Sequence, residues 1–432
     1  LIKYYKFTLQ FNISLYSTYQ NITNMQSITK AKLSFMMFLE FFIWGGWFVT
    51  LGTFLSNNLS ASGGQIGQAF STQSWGAIIA PFIIGLIADR YFNAEKILGV
   101  LHLIGAVLMY QLSNVESFDM FYPYVLGYMI AYMPTLALVN SVSFNQMDNP
   151  AKDFPHIRVW GTVGWIAAGW IISLGFQWDS LRNIEDGALK NTFLMVAIAS
   201  AVLGIFSFLL PATPPSNKGD KLASISEMLG LDALGLLKDR NFIIFFLSSI
   251  LICIPLAFYY QNLSPFLAEL QVEKSTAWAS AGQISEVIFM LLLPLFFKKF
   301  GFKKTILVGM LAWVIRYVLF AYGDSDGLFI MLISGILLHG ICYDFFFVSG
   351  QIYTDSKAGE KYKSSAQGLI TLATYGVGML FGFKIAGMIT DKFLIEGGGH
   401  NWESIWIYPA GFAIIVLIIF ALLFKNEDIE YK

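Results

Sequence analysis

The sequence is short of charge. Only 13% of its 432 residues are Asp, Glu, Lys or Arg, against roughly 25% in an ordinary soluble domain. Histidine and cysteine are scarcer still, at four and two residues. Each shortage excludes something. Cys253 and Cys342 both lie in apolar runs, so neither a disulfide framework nor a zinc site is indicated. There is no His-Glu-x-x-His run, no Gly-x-Ser-x-Gly elbow, no phosphate-cradling glycine loop and no Cys/His cluster. The usual signs of an enzyme, a cofactor or a bound metal are therefore missing, and a net charge of −1 offers no basic field for nucleic acid.

What fills the chain is apolar sequence, 56% of all residues. Runs near the ~20 residues that cross a bilayer recur about twelve times, from 33–56 to 405–425. They are continuous rather than alternating, so they predict helices and not a barrel. The fold expected is an all-α polytopic membrane protein with twelve transmembrane helices in two six-helix halves. Residues 25–210 form the first half and 241–432 the second, joined by a polar cytoplasmic linker at 211–240 whose SISEMLGLDALGLL stretch reads as a short amphipathic helix at the cytoplasmic surface. Residues 1–24 lack the apolar core and small-residue cleavage site of a signal peptide. Met25 is the expected initiator, with 1–24 a disordered or non-native extension.

Loop charge orients the chain. Loops and tails on the side of the termini carry eighteen lysines and arginines, and the opposite side carries four, Arg182, Lys190, Lys274 and Lys392. By the positive-inside rule both termini are cytoplasmic.

Charges inside the spans are more informative. Glu40, Arg158, Glu286, Arg316, Asp344 and Lys384 would together cost on the order of 15 kcal/mol if left unpaired in lipid. A wet central cavity is the simplest account. In DFPHIRVWGTVGW, residues 153–165, Arg158, Thr162 and Trp165 fall at i, i+4 and i+7, a polar seam along one helical face. Gln283 and Glu286 share a face in span 8, and His339, Tyr343 and Asp344 present polar groups in span 10. Rings that can stack a planar base, beside amides and carboxylates that can read its edges, suit a small polar ring compound. Glu286, Asp344 and Glu40 are the candidate proton carriers, Glu40 by sharing a face with Trp44 and Trp47 that could border the cavity. Arg316 reads as a buried counter-charge to Asp344 or Glu286, Lys384 as a snorkelling lysine, and His102 as a packing residue.

Several of these stretches resemble one family. Six spans, a linker and six spans is the plan of the major facilitator superfamily, and Gly85, Asp89 and Arg90 in GLIADR look like its signature after span 2. DFPHIRVWGTVGW, AYMPTLALVNS at 131–141, LGLDAL, QISE at 283–286, AWVIRYVLFAYGD at 312–324, DFFFVSG at 344–350 and SAQG at 365–368 together resemble that superfamily's nucleoside:proton symporters. The resemblance implies proton-driven nucleoside uptake across the bacterial inner membrane; a monomer without cofactor is expected. It makes Gly85, Asp89 and Arg90 a cytoplasmic gate motif. It also implies solute contacts at Arg158, Thr162, Trp165, Gln283, Glu286, His339, Tyr343 and Asp344, with Tyr260 and Gln261 as further candidates. Trp165, His339 and Tyr343 depart from the family's usual residues, which leaves a nucleobase, a sugar or a non-transporting sensor as alternatives.

Overall fold

Long apolar stretches fold as rods because a helix satisfies its own backbone N–H and C=O groups, as lipid surroundings demand. The computed structural model describes residues 27–83, 91–147, 150–215 and 231–427. The GLIADR motif with Gly85, Asp89 and Arg90, and the expected extension at 1–24, lie outside the described residues.

The rods are α1 (Ser27–Leu59), α2 (Gly63–Ile83), α3 (Ala94–Leu112), α4 (Phe118–Asn145), α5 (Asp153–Gly175) and α6 (Lys190–Ser207) in the first half. The second half holds α7 (Arg240–Glu269), α8 and α9 (together Ser275–Tyr322), α10 (Phe329–Gly359), α11 (Ser365–Lys392) and α12 (Trp402–Leu423). Ten helices among the described residues are long and apolar enough to cross a membrane. Ser275–Tyr322 is two rods, and α2 stands beside the ten. Ser275–Tyr322 runs for 48 residues and breaks at Gly301, whose φ of 72° suits glycine and strains other residues. Several starts carry caps legible in the sequence. Asp239 accepts from the Phe242 N–H at 2.8 Å and Asn401 from the Ser404 N–H at 3.0 Å.

Three rods contain π-helical turns, at Ile171–Gly175, Asp344–Val348 and Leu372–Gly378. A π turn inserts one residue and re-aims the side chains around it, often at functional positions. These turns carry Ser173, Asp344 and Tyr375. Of the linker, residues 216–230, with the first half of the expected amphipathic helix, lie outside the described residues, and Leu231–Lys238 is a 3-10 helix. Ala233 is buried against Ala358, Ala366 and Leu369, so the apolar side of this segment is docked on protein.

A buried polar cluster ties α1, α3 and α4 together. His102 Nε2 meets Glu40 Oε2 at 2.8 Å, and Thr135 Oγ1 donates to Glu40 Oε1 at 2.6 Å. The Tyr132 hydroxyl donates to the Glu40 carbonyl at 2.8 Å. Glu40 is fully buried and lies outside the cavity lining described below, so the expected face of Glu40, Trp44 and Trp47 divides. Trp44 turns to the cavity, while Trp47 packs on Tyr128 and Phe193 at 5.5 and 6.0 Å between ring centres. With both carboxylate oxygens engaged, Glu40 has the contacts of a structural tie. Glu40→Leu strands His102 in the core, while Thr135 keeps the Tyr132 carbonyl as acceptor, and is expected to destabilise by about 3 kcal/mol, seen as earlier melting in detergent; an unchanged melting curve would show that the cluster contributes nothing.

Candidate functional site

Side chains from both halves converge on one central cavity of about 90 Å³. From α5 come Arg158, Thr162 and Trp165, whose spacing stacks them along one face. Gln283 and Glu286 of α8 stand across from them, with His339 and Tyr343 of α10 and Tyr260 of α7.

Rings hold the ions in place. Arg158 Cζ lies 4.1 Å from the Phe41 ring centre, a cation–π contact that fixes the guanidinium while leaving its edge for hydrogen bonding. Trp44 meets Trp165 edge-on at 5.7 Å, and Phe48 meets Tyr260 in the same way at 5.7 Å. The hydroxyls of Tyr343 and Tyr375 are 2.8 Å apart.

Glu286 keeps 18% of its side chain exposed, and its Oε2 lies 3.8 Å from His339 Nε2. On the far side of that imidazole, Arg316 Nη1 approaches Nδ1 at 3.2 Å. A guanidinium only donates, so Nδ1 accepts and the imidazole proton sits on Nε2, turned toward Glu286. Arg316 is itself fully buried, with Cζ 3.4 Å from the centre of the Tyr259 ring. Arg158 and Glu286 share the cavity with no direct ion pair between them among the described contacts, so both remain available to a solute.

Residues 27–429 match the family model described as nucleoside H+ symporter. The chain belongs to that family. YegT of Escherichia coli (strain K12) is 43% identical over 409 residues, spanning 93% of this chain and 95% of YegT. Xanthosine permease of the same strain is 35% identical over 415 residues, spanning 92% of this chain and 97% of the permease. The crystal structure of the nucleoside transporter NupG aligns with a TM-score of 0.81 at 29% identity, covering 92% of this chain and 100% of that one. The resemblance read from the motifs is thereby met: this is a major facilitator symporter, an integral membrane transporter and not an enzyme.

Not every candidate of the symporter lies where its sequence placed it. Asp344 is fully buried outside the cavity lining, with both carboxylate oxygens lacking a hydrogen-bond partner among the described residues. It stands five residues after His339, roughly 140° around the helix, and so points away from the cavity face. Gln261 is buried at the contact between the halves, where its amide lies 3.3 Å from the Gly63 carbonyl, while its neighbour Tyr260 reaches the cavity. Arg316 meets His339 in place of either carboxylate, because the imidazole stands between the guanidinium and Glu286. Lys384 is exposed, as snorkelling requires.

Sequence reading missed Gln73, Tyr375, Phe41 and Phe48 as lining residues. A signal for Gln73 existed. The run Ser71-Thr72-Gln73-Ser74 makes the middle of α2 unusually polar for a span, and all four residues are buried.

Proposed function

We propose that the protein carries nucleosides inward across the cytoplasmic membrane with protons, by alternating access, with both termini in the cytoplasm. The observation that carries this reading is a single cavity, built from both halves, that combines a guanidinium, a carboxylate and two carboxamides with a wall of rings. Trp44, Trp165, Tyr260 and Tyr343 offer faces for a planar base, and Gln73, Gln283 and Arg158 offer donors and acceptors for base edges and ribose hydroxyls. Glu286 is the proton carrier in contact with the solute space. Asp344, buried without a hydrogen-bond partner among the described residues, is the second candidate. One chain encloses the whole cavity, so a monomer is sufficient.

Uptake of labelled uridine, adenosine, hypoxanthine and a hexose into cells expressing the chain, with and without an uncoupler, tests the proposal. Saturable, uncoupler-sensitive uptake of a nucleoside is expected. Uptake confined to hypoxanthine or the hexose would replace the substrate, and binding without flux would replace the carrier with a sensor.

Gln73 supplies a narrower test. Its Oε1 is buried without a partner among the described residues, on a residue that lines the cavity, which suits an acceptor waiting for a solute donor. Gln73→Leu is expected to raise KM about tenfold, the value of roughly one good hydrogen bond, with uncoupler sensitivity retained. An unchanged KM for all nucleosides would remove Gln73 from the site.

A further inference from the structure

The rods that wall the cavity repeat one order along their length. From the terminus side, α1 gives Phe41, Trp44 and Phe48 to the cavity and then brings Thr53 against the other half, where its Oγ1 lies 2.5 Å from Ser264 Oγ of α7. α11 gives Tyr375 to the cavity and ends at Asp391, which touches α2. The contact between halves thus caps the cavity at the end away from the termini.

Two of these contacts place an acid on a helix start. Asp391 accepts from the N–H groups of Gly63 and Gly64, the first two residues of α2, at 2.6 and 2.8 Å. Asp179, just beyond α5, accepts from the Thr276 N–H at the start of α8 at 2.9 Å. Ser173 of the π turn accepts from the next N–H, that of Ala277, at 2.9 Å and donates to Asp179. In each case an acid of one half caps a helix of the other. The caps are exchanged reciprocally: the fifth rod of each half serves the second rod of its partner.

We infer that Asp179 and Asp391 are paired latches that hold the outer gate of the carrier shut. The inference rests on the alternating-access reading and the orientation given above. A helix start leaves N–H groups unsatisfied and carries partial positive charge, so a carboxylate there makes charge-assisted bonds. When the halves part, water can satisfy both partners, which makes the contact reversible in a way that a buried ion pair is not. Beneath the latches, backbones touch. A Cβ on Gly67 would lie 2.4 Å from the Phe383 carbonyl oxygen, and one on Gly387 would lie 2.5 Å from the Gly63 carbonyl oxygen. Backbone fit between α2 and α11 therefore shapes the closed state, and the latches hold it.

The two latches are unequal. Asp179 is 3% exposed, while Asp391 is an exposed residue. Two smaller voids, lined in common by Val49, Leu263 and Ala279, continue from the main cavity toward Ser275 and Thr276. The route from cavity to outer face passes under the Asp179 latch.

Spin-label distances in the full chain, reconstituted in lipid, test this. One label pair at Glu185 and Glu273 spans the α5–α8 contact, and another at Asn57 and Glu396 spans the opposite side. Asp179→Asn is expected to raise the long-distance population across both pairs about tenfold, and Asp391→Asn by about threefold, within the range of helix-end charge effects. Distance distributions like those of the parent chain in both variants would overturn the proposal. Should Asp179→Asn fail to fold, Ser173→Ala removes part of the same latch and is read in the same way. No solute is used, so a negative result here leaves the nucleoside assignment standing, and failed uptake of nucleosides leaves the latches testable.

Discussion

Glu286→Gln is expected to abolish uphill accumulation of nucleoside while sparing exchange between pools of equal concentration. The substitution keeps the shape of the side chain and an acceptor oxygen, and removes the ability to take up and release a proton. Moving one proton with a neutral solute moves one charge, about 2.3 kcal/mol per 100 mV, which supports roughly 50-fold accumulation. That whole factor is at stake. Glu286 lines the solute cavity, is partly exposed to it, and faces the imidazole of His339, so loading of solute and of proton share one space. Accumulation measured in energised cells should fall to unity in the variant, with counterflow retained. Full, uncoupler-sensitive accumulation would exclude Glu286 and move the role to Asp344, whose Asn variant should then show the defect.

Arg158→Ala is expected to reduce uptake at low solute concentration by roughly 10- to 100-fold, the loss of hydrogen bonds made by a charged donor. The guanidinium stacks on Phe41 and presents its edge to the cavity, where α5 faces α8. Its charge also opposes that of Glu286 across the space, so removal upsets both recognition and proton exchange. Arg158→Lys should not restore function, because a point ammonium lacks the planar fork and stacks less well. Kinetics in proteoliposomes decide the matter: an alanine variant with unchanged kcat/KM would take Arg158 out of the site.

How far the sequence could foretell this depends on distance along the chain. The rods were legible because lipid-compatible helices must be continuous, and the polar run in the middle of α2 is the one that supplies Gln73. On α5, Arg158, Thr162 and Trp165 belong to one helix, and simple periodicity is enough to put them on one wall. Asp344 exceeds the reach of that rule, since five residues of rotation turn it from His339 and the π turn begins at that residue. Glu40 shows another limit. Periodicity sets a face, but only the neighbouring helices decide what the face meets, and here His102 and Thr135 were waiting. The reciprocal capping by Asp179 and Asp391 joins residues 97 and 328 positions apart and has no local signature.

The cross-tie of Glu40 with His102, Thr135 and Tyr132 bears on how the molecule can move. Three rods pinned at one buried point cannot slide past each other or bend independently without breaking a bond that nothing in the surrounding apolar interior would replace. Around this point the three rods are expected to swing together as one lever, and distances measured close to it should stay constant through the whole work cycle.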